Sequence, residues 1–230
     1  MISVCMATYN GAKYLREQID SILAQLSEAD ELIVSDDSST DNTLEVLKVY
    51  NDSRIKVFKN TNRKGVVGNF ENALMQVKGD YIFLSDQDDV WLDGKVEKCI
   101  EALKNSDLVL HDNVIMNSTM ETIITNSFFE YRKTKTGYIN NLVRNSYIGC
   151  CMAFKASLLS KILPFPPQIA MHDIWIGLRT ERYGKIALIN RPLIQYRRHE
   201  TNASSTGGKS TLSIFDQLFY RLRMLIYTLK

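Results

Sequence analysis

The stretch Gly79-Asp80-Tyr81-Ile82-Phe83-Leu84-Ser85-Asp86-Gln87-Asp88-Asp89-Val90-Trp91 runs an apolar segment straight into three carboxylates. Gly79-Asp80 breaks whatever precedes it, and Tyr81 to Leu84 is short and apolar enough for a buried strand. Asp86, Asp88 and Asp89 then follow within four positions. Like charges this close repel, and leaving them unpaired near low dielectric is costly. A hard divalent cation, Mg²⁺ or Mn²⁺, offsets that repulsion through oxygen ligands. Taken alone, the run reads equally well as an acidic, solvated turn.

Outward from this stretch, the first 110 residues alternate strand and helix signals. Ile2 to Ala7, Glu31 to Ser35, Ile55 to Phe58 and Leu108 to Leu110 read as further strands. Residues 12–26, the stretch around Leu44 and Leu47, residues 66–77 and Leu92 to Leu103 read as helices, with Thr40 or Asp41 capping the second. Strands separated by helices of this length predict an α/β fold with a doubly wound, mostly parallel sheet, and ligands of such sheets sit at the carboxyl ends of the strands. Thr8-Tyr9-Asn10, Asp36-Asp37 and Asp86 to Asp89 each follow a strand directly. They are therefore expected to meet on one edge.

The second half is less regular. Residues 112–145 are polar with interspersed aromatics, Tyr147 to Phe154 reads as a strand, Met171 to Arg182 as a helix and Ile186 to Ile189 as a strand. Residues 201–211 read as a flexible linker, and residues 212–229 as an amphipathic, basic helix. Asp173 at the start of its helix benefits from the dipole and reads either as an ordinary amino-terminal acid or as a general base. His199, after Tyr196-Arg197-Arg198, offers a neutral imidazole to a cation, and either arginine offers charge to a diphosphate.

Composition narrows the classes. The chain has 230 residues, 45% of them apolar and 23% charged, with 28 Lys+Arg against 26 Asp+Glu. That balance argues against disorder and against a dedicated nucleic-acid binder. No apolar run is long enough to span a bilayer, and the amino terminus carries no leader signal. Four cysteines without metal spacing point to a reduced, cytoplasmic protein, and the Cys150-Cys151 pair reads as core. Lys209, Arg221, Arg223 and Lys230 against Asp216 make residues 209–230 net +3, so residues 1–208 carry −1 of the total +2. A basic amphipathic tail of this kind lies on an anionic membrane, at its inner face, or packs on the domain or a second copy. The chain stops inside that helix pattern, which suggests a catalytic domain plus the start of something more.

Several motifs in order carry a resemblance: ATYNGAKYLREQIDSIL, LIVSDDSSTDNT, NRKGVVGNFENAL, GDYIFLSDQDDVW, MHDIWIGL and YRRH. From Ile2 to about Ser205 the sequence resembles the inverting glycosyltransferases of family 2, which have the GT-A fold. The spellings SDQDDVW, GCCMAF and MHDIW resemble a bacterial rhamnosyltransferase-like branch that builds cell-surface polysaccharide. The resemblance implies a GT-A domain over residues 1–205, with a nucleotide-binding half at 1–110 and an acceptor-binding half at 111–205, followed by a linker and helix at 206–230. It implies a nucleotide-diphosphate sugar donor, a saccharide or lipid-linked saccharide acceptor, and Mg²⁺ or Mn²⁺. Thr8 and Tyr9, with Asn10 beside them, would line the base, and Asp36 or the adjacent Asp37 would hold base or ribose. Arg63 and Lys64 would face the nucleotide. Asp86 would lie toward the ribose or sugar, Asp88 would bind the metal with Asp89 as helper, and His199 would complete the metal or diphosphate site beside Arg198. Asp173 would be the catalytic base, with His172 where the family commonly has Glu.

Other classes compete. A nucleotidyltransferase also combines a parallel sheet with metal-binding acids, but it would carry a Gly-rich, basic loop after the first strand, where this chain has only Lys13. A phosphoacceptor signalling domain would leave the second half unexplained, and an inactive binding module would not need every acidic group.

Overall fold

The apolar run Ile2–Thr8 becomes the central strand β1, and Val4, Cys5 and Met6 are wholly enclosed in it. The computed structural model describes residues 1–61, 63–200, 202 and 214–229. Apart from Asn202, the linker expected over 201–211 lies outside the described residues, as do Leu212, Lys209 and Lys230. After β1 the chain forms α1 (Ala12–Leu23), β2 (Glu31–Asp36), α2 (Thr43–Val49), β3 (Ile55–Lys59), α3 (Val66–Leu74) and β4 (Tyr81–Asp86). The four strands lie in the order β3-β2-β1-β4 and all pair in parallel. Strands covered by helices on both faces need apolar residues at every position. This is why the period-2 pattern is absent from β2, which is buried throughout.

Register, more than strand order, positions the site. Thr8 pairs with Asp36, and Ala7 pairs with Asp86. The carboxyl ends of β1, β2 and β4 therefore finish level, and the three polar clusters share one edge as expected. Polar side chains of the covering helices fasten these ends. Gln18 of α1, fully buried, donates from Nε2 to Ser85 Oγ (2.7 Å) and to the Asp86 carbonyl (2.9 Å). Asn69 and Asn72 of α3 donate to the Thr8 carbonyl (3.0 Å) and to Ser35 Oγ (2.8 Å).

The chain continues through β5 (Val90–Trp91), α4 (Lys95–Leu103), β6 (Leu108–Met116), β7 (Ile123–Thr125), α5 (Phe128–Arg132), α6 (Tyr138–Val143), β8 (Met152–Lys155), α7 (Leu159–Ile162), α8 (His172–Tyr183), β9 (Ile186–Arg197) and α9 (Ile214–Leu229). The sheet extends from β4 through β8, β6 and β9 to β5, with β7 against β6. β6 and β9 pair in parallel over a long ladder, whereas the antiparallel ladders are two or three pairs each. The sheet is thus mostly parallel, as expected.

Two elements differ from the sequence reading. The apolar run Tyr147 to Phe154 is a strand only from Met152, and Gly149–Cys151 is a 3₁₀ turn. The chain leaves the sheet there to close on α8: a Cβ on Gly149 would sit 2.6 Å from His172 Nε2, and the Tyr147 ring leaves no room for a Cβ on Gly177. Conversely, β9 runs on past Ile189 to Arg197. Pro192 is accommodated because the register against β6 shifts beside Asp112, and a bulge tolerates a missing N–H.

Helix α9 packs on α6 and α8 through one side. Met224 and Thr228 are buried there, and the Thr228 hydroxyl bonds the Tyr138 hydroxyl. Phe215, Leu218, Phe219, Leu222 and Ile226 remain exposed, Phe215 at 85%. Among the described residues, no helix is long and apolar enough to cross a membrane.

Phe83 is fully enclosed at the middle of β4. Phe83→Ala is expected to lower stability by about 3–5 kcal/mol, read as a reduced urea midpoint at unchanged slope. A midpoint within error of the wild type would remove Phe83 from the core that holds the strand ends.

Candidate active site

The level strand ends open into a cavity of about 300 Å³. Thr8, Tyr9, Asp37, Asp86, Asp88 and Asp173 all line it, so residues from four separate stretches of the expected set converge. Tyr9, 54% exposed, stands at the rim.

Within each acidic pair, strand geometry separates the two members. Asp36, the last residue of β2, is buried and spent on the protein itself. Its Oδ1 accepts from the Thr8 hydroxyl (3.1 Å) and the Ser39 hydroxyl (2.5 Å), and its Oδ2 from Ser39 N–H (2.9 Å). Asp37 leaves the strand and reaches the cavity, where it accepts from Asn60 Nδ2 (2.8 Å) and Gly65 N–H (2.7 Å). Asn10 is a latch and does not line the cavity: its left-handed backbone (φ 50°) lets Oδ1 accept from Thr40 N–H at 2.8 Å. Asp41, rather than Thr40, serves the start of α2 by accepting from Thr43 N–H at 3.0 Å. Arg63 pairs with Glu71 (3.1 Å) and donates to the Pro166 carbonyl (3.3 Å), while Lys64 is exposed. Neither lines the cavity.

The loop after β4 is set by Gln87. Its Oε1 accepts from Tyr9 N–H (2.9 Å) and its Nε2 donates to the Tyr9 carbonyl (3.1 Å), so the amide copies a strand pairing across the two loops. A Cβ on Gly11 would lie 2.1 Å from Gln87 Oε1, which requires glycine there. Arg197, the last residue of β9, and Arg198, just beyond it, face different ways. Arg197 points inward: its Nε donates to the Asp88 carbonyl (2.8 Å), its N–H to Asp89 Oδ1 (3.0 Å), and its guanidinium pairs with Glu17 and lies 4.7 Å over Tyr14. Arg198 points out and is exposed. His199 meets Asp88, with Nε2 2.7 Å from Oδ2, and Asn202 Nδ2 donates to the same oxygen at 3.3 Å.

Electrostatics single out the acids. Burial, then the charges of Asp88 and Asp173, push the Asp86 carboxyl up to about 7. Burial with Asp88 and Asp86 pushes Asp89 up as well. Asp89 Oδ2 is buried without a hydrogen-bond partner. A carboxylate cluster that resists its own charge, with an imidazole on its rim, fits a hard divalent cation, and Asp88 and His199 are the pair placed to hold one.

Asp173 sits in the first turn of α8, with Oδ1 accepting from Ile174 N–H at 2.6 Å. The N–H of Gly149, freed by the 3₁₀ turn, also reaches its carboxylate. These donors favour the ion, but burial outweighs them and holds the carboxyl up at about 6. Neighbouring His172 is stacked 4.0 Å on Phe70, and burial pulls it down to about 3. It is therefore neutral and supplies no charge that would lower Asp173. Both its ring nitrogens lack partners among the described residues. Trp91 and Trp175 are core residues, not sugar platforms; Trp175 Nε1 donates to the Ile162 carbonyl at 2.8 Å.

Gln87, Asn202 and Gly149 were not among the expected site residues, and Arg197 was expected only as one of two arginines that could meet a diphosphate. Gln87 carried a signal, as the amide between two acids. Arg197 was decidable only with the inward face of β9 known. Gly149 and Asn202 carried none.

A parallel-sheet edge bearing an acidic cluster, faced by a carboxylate from the second half, is the arrangement of glycosyltransferases with the GT-A fold. The chain belongs to glycosyl transferase family 2, whose model matches residues 3–163. It is 30% identical over 223 residues, 95% of this chain and 85% of the relative, to the UDP-Glc:alpha-D-GlcNAc-diphosphoundecaprenol beta-1,3-glucosyltransferase WfgD of Escherichia coli. It is 29% identical over 220 residues to the dTDP-rhamnosyl transferase RfbG of Shigella flexneri, covering 86% of this chain and 72% of that one. The fold matches S. aureus TarS 1–349 in complex with UDP-GlcNAc at a TM-score of 0.74 and 20% identity, over 99% of this chain and 66% of TarS. It also matches glucosyl-3-phosphoglycerate synthase of Mycobacterium tuberculosis in complex with Mn²⁺, UDP and glucosyl-3-phosphoglycerate, at 0.60 and 22%, over 100% and 78%.

A base must be ionised to accept a proton, and a carboxyl raised to about 6 loses that form as pH falls through 6. At limiting substrate, kcat/KM is expected to fall about tenfold per pH unit below that point, while kcat reports the same carboxyl in the substrate complex. A kcat/KM that stays flat down to pH 5 would exclude Asp173 as the base.

Proposed function

We propose that this enzyme transfers one sugar from a nucleotide-diphosphate donor to a hydroxyl of a lipid-diphosphate-linked saccharide, inverting the anomeric centre, in the assembly of a bacterial surface polysaccharide. The observation that carries this is the convergence of Asp86, Asp88 and Asp173 in one cavity at the sheet edge. In this reading, residues 1–110 hold the donor and residues 111–205 the acceptor. Tyr9 and Thr8 border the base, and Asp37, which reaches the cavity, takes the base or ribose contact in preference to the fully engaged Asp36. Arg63, Lys64 and Arg198 serve the diphosphate only if they swing in from their present positions.

Asp86 faces the ribose or the transferred sugar. Asp88 and His199 hold Mg²⁺ or Mn²⁺, which supplies positive charge against the departing diphosphate. Mn²⁺ beside UDP in a protein of the same fold supports that choice. Asp173 takes the proton from the acceptor hydroxyl as that oxygen attacks the anomeric carbon opposite the leaving group. A single displacement of this kind inverts configuration and leaves nothing covalently on the enzyme. Arg197 touches no substrate; it holds Asp88 through its carbonyl and Asp89 through its own backbone N–H.

The names of two relatives support the donor and acceptor classes: one uses UDP-glucose on a diphosphoundecaprenol-linked sugar, the other is a dTDP-rhamnosyl transferase. UDP-glucose and dTDP-rhamnose are therefore the first donors to test. Such an acceptor resides at the cytoplasmic face of the membrane, and the exposed apolar residues of α9, with Arg221 and Arg223 beside them, suit peripheral contact there.

A thermal-shift screen of nucleotide sugars with Mn²⁺ or Mg²⁺ should give selective stabilisation by one donor. Asp173→Asn should keep that shift while kcat falls by about 10²–10⁴. Asp88→Ala should lose both the cation dependence and turnover. No response to any nucleotide, or near-normal turnover in Asp88→Ala, would overturn the assignment. The membrane reading has its own measurement. The protein should float with vesicles containing anionic lipid, and Phe215→Ser/Phe219→Ser should weaken flotation roughly tenfold. Unchanged flotation would assign that face to protein packing.

A further inference from the structure

We infer that a thiol-bearing cation site lies just beneath the cavity floor, formed by Asp86, Asp89 and Cys150, and takes a thiophilic divalent ion of the zinc class. It is separate from the Asp88–His199 pair at the rim. One carboxylate oxygen each from Asp86 and Asp89 and the Cys150 Sγ all lie within 4.8 Å of one another. Ligands of one tetrahedral zinc ion are about 3.5–4 Å apart when Zn–S is about 2.3 Å and Zn–O about 2.1 Å. The three donors therefore close on an ion with small side-chain movements.

A second observation points the same way. Asp89 is fully enclosed, and while its Oδ1 accepts from Arg197 N–H (3.0 Å), its Oδ2 is buried with no hydrogen-bond partner. A carboxylate oxygen in that position is costly unless something positive meets it. Cys150, 1% exposed, adds a soft donor beside two hard ones. Magnesium and manganese gain little from sulfur, whereas zinc and cadmium favour it. The backbone here is held rigidly: Lys95, itself fully buried, donates from Nζ to the Cys150 carbonyl at 2.9 Å and lies 4.0 Å over the Trp91 ring. The route in is the cavity, because Asp86 and Gly149 line it.

Coordination forms the metal–sulfur bond and releases the thiol proton to solvent, with no change of oxidation state. Asp86 also lines the cavity that takes the donor in the proposed function. An ion beneath the floor draws its carboxylate away from the donor, so thiophilic ions act as inhibitors that excess Mg²⁺ relieves poorly.

The test is a CdCl₂ titration of the full chain, stripped of metal and without nucleotide. A failure of glycosyl transfer would not affect this readout. One equivalent of Cd²⁺ should raise a thiolate-to-cadmium charge-transfer band in the ultraviolet. Cys150→Ser should lose the band, Cys151→Ser should keep it, and Asp89→Asn should weaken Cd²⁺ binding at least tenfold. If Cys150→Ser does not fold, as judged by its thermal transition, Asp89→Asn decides alone. No band in the wild type, a band that survives in Cys150→Ser, or one lost only in Cys151→Ser would overturn the proposal, as would unchanged affinity in Asp89→Asn.

Discussion

Everything at the cavity depends on the parallel register of β1 with its two neighbours. Thr8 opposite Asp36 and Ala7 opposite Asp86 bring three strands to an end at the same height. A slip of one residue along β4 would turn Asp86 into the helical layer and aim Ser85 at the opening, because alternate side chains face opposite sides of a sheet. The protein protects against that slip from above. Gln18 grips both Ser85 and the Asp86 carbonyl, and Asn69 and Asn72 do the same for β1 and β2. The amide nitrogens of these side chains find their acceptors only in the correct register, so their burial specifies geometry as well as adding hydrogen bonds.

That geometry forces acids together in a place water reaches poorly. Repulsion among Asp86, Asp88 and Asp89 is the direct result, and it adds to burial, the larger cause, in raising the Asp86 and Asp89 carboxyls. Lys95, fully buried, interacts favourably with Asp89, while the arginine that braces the loop adds little. Arg197, the nearest arginine, spends its guanidinium on the Asp88 carbonyl, the Ser118 carbonyl and Glu17. The residue is thus a brace for the loop and leaves the carboxylates short of positive charge. A cluster left in that condition is prepared for a cation, whose binding draws on the repulsion already built in.

How much of this could be read from residues alone follows from the physics of each element. β1 to β4 were legible because strands buried on both faces are continuous apolar runs, and because α1 and α3 bury one face at helical spacing. The convergence of Thr8, Asp37, Asp86 and Asp88 was legible as a consequence of where parallel strands end, whereas Asp173, on a helix, was expected there only from the resemblance. What was not legible depends on which way a side chain faces. Asp36 and Asp37 are adjacent and chemically identical, yet one ends a strand and is consumed by Ser39 while the other turns into the cavity. Arg197 and Arg198 divide in the same way at the end of β9. The run from Tyr147 to Phe154 looked like a strand because apolarity reports burial, and burial against α8 is as apolar as burial in a sheet.

That same run explains how the second half completes the chemistry. By breaking into a 3₁₀ turn at Gly149, it presents an N–H to Asp173 and leaves space for the His172 ring. The ring in turn stacks on Phe70 of α3, which tethers the start of α8 to the first half of the chain. A glutamate at position 172 would bring a second buried charge beside Asp173 and raise its carboxyl further. A protonated histidine would do the reverse and weaken the base. Enclosure keeps His172 neutral, so the environment of Asp173 is set by burial opposed by backbone donors, and the carboxyl stays just below neutrality, where a base is ionised yet still holds a proton well.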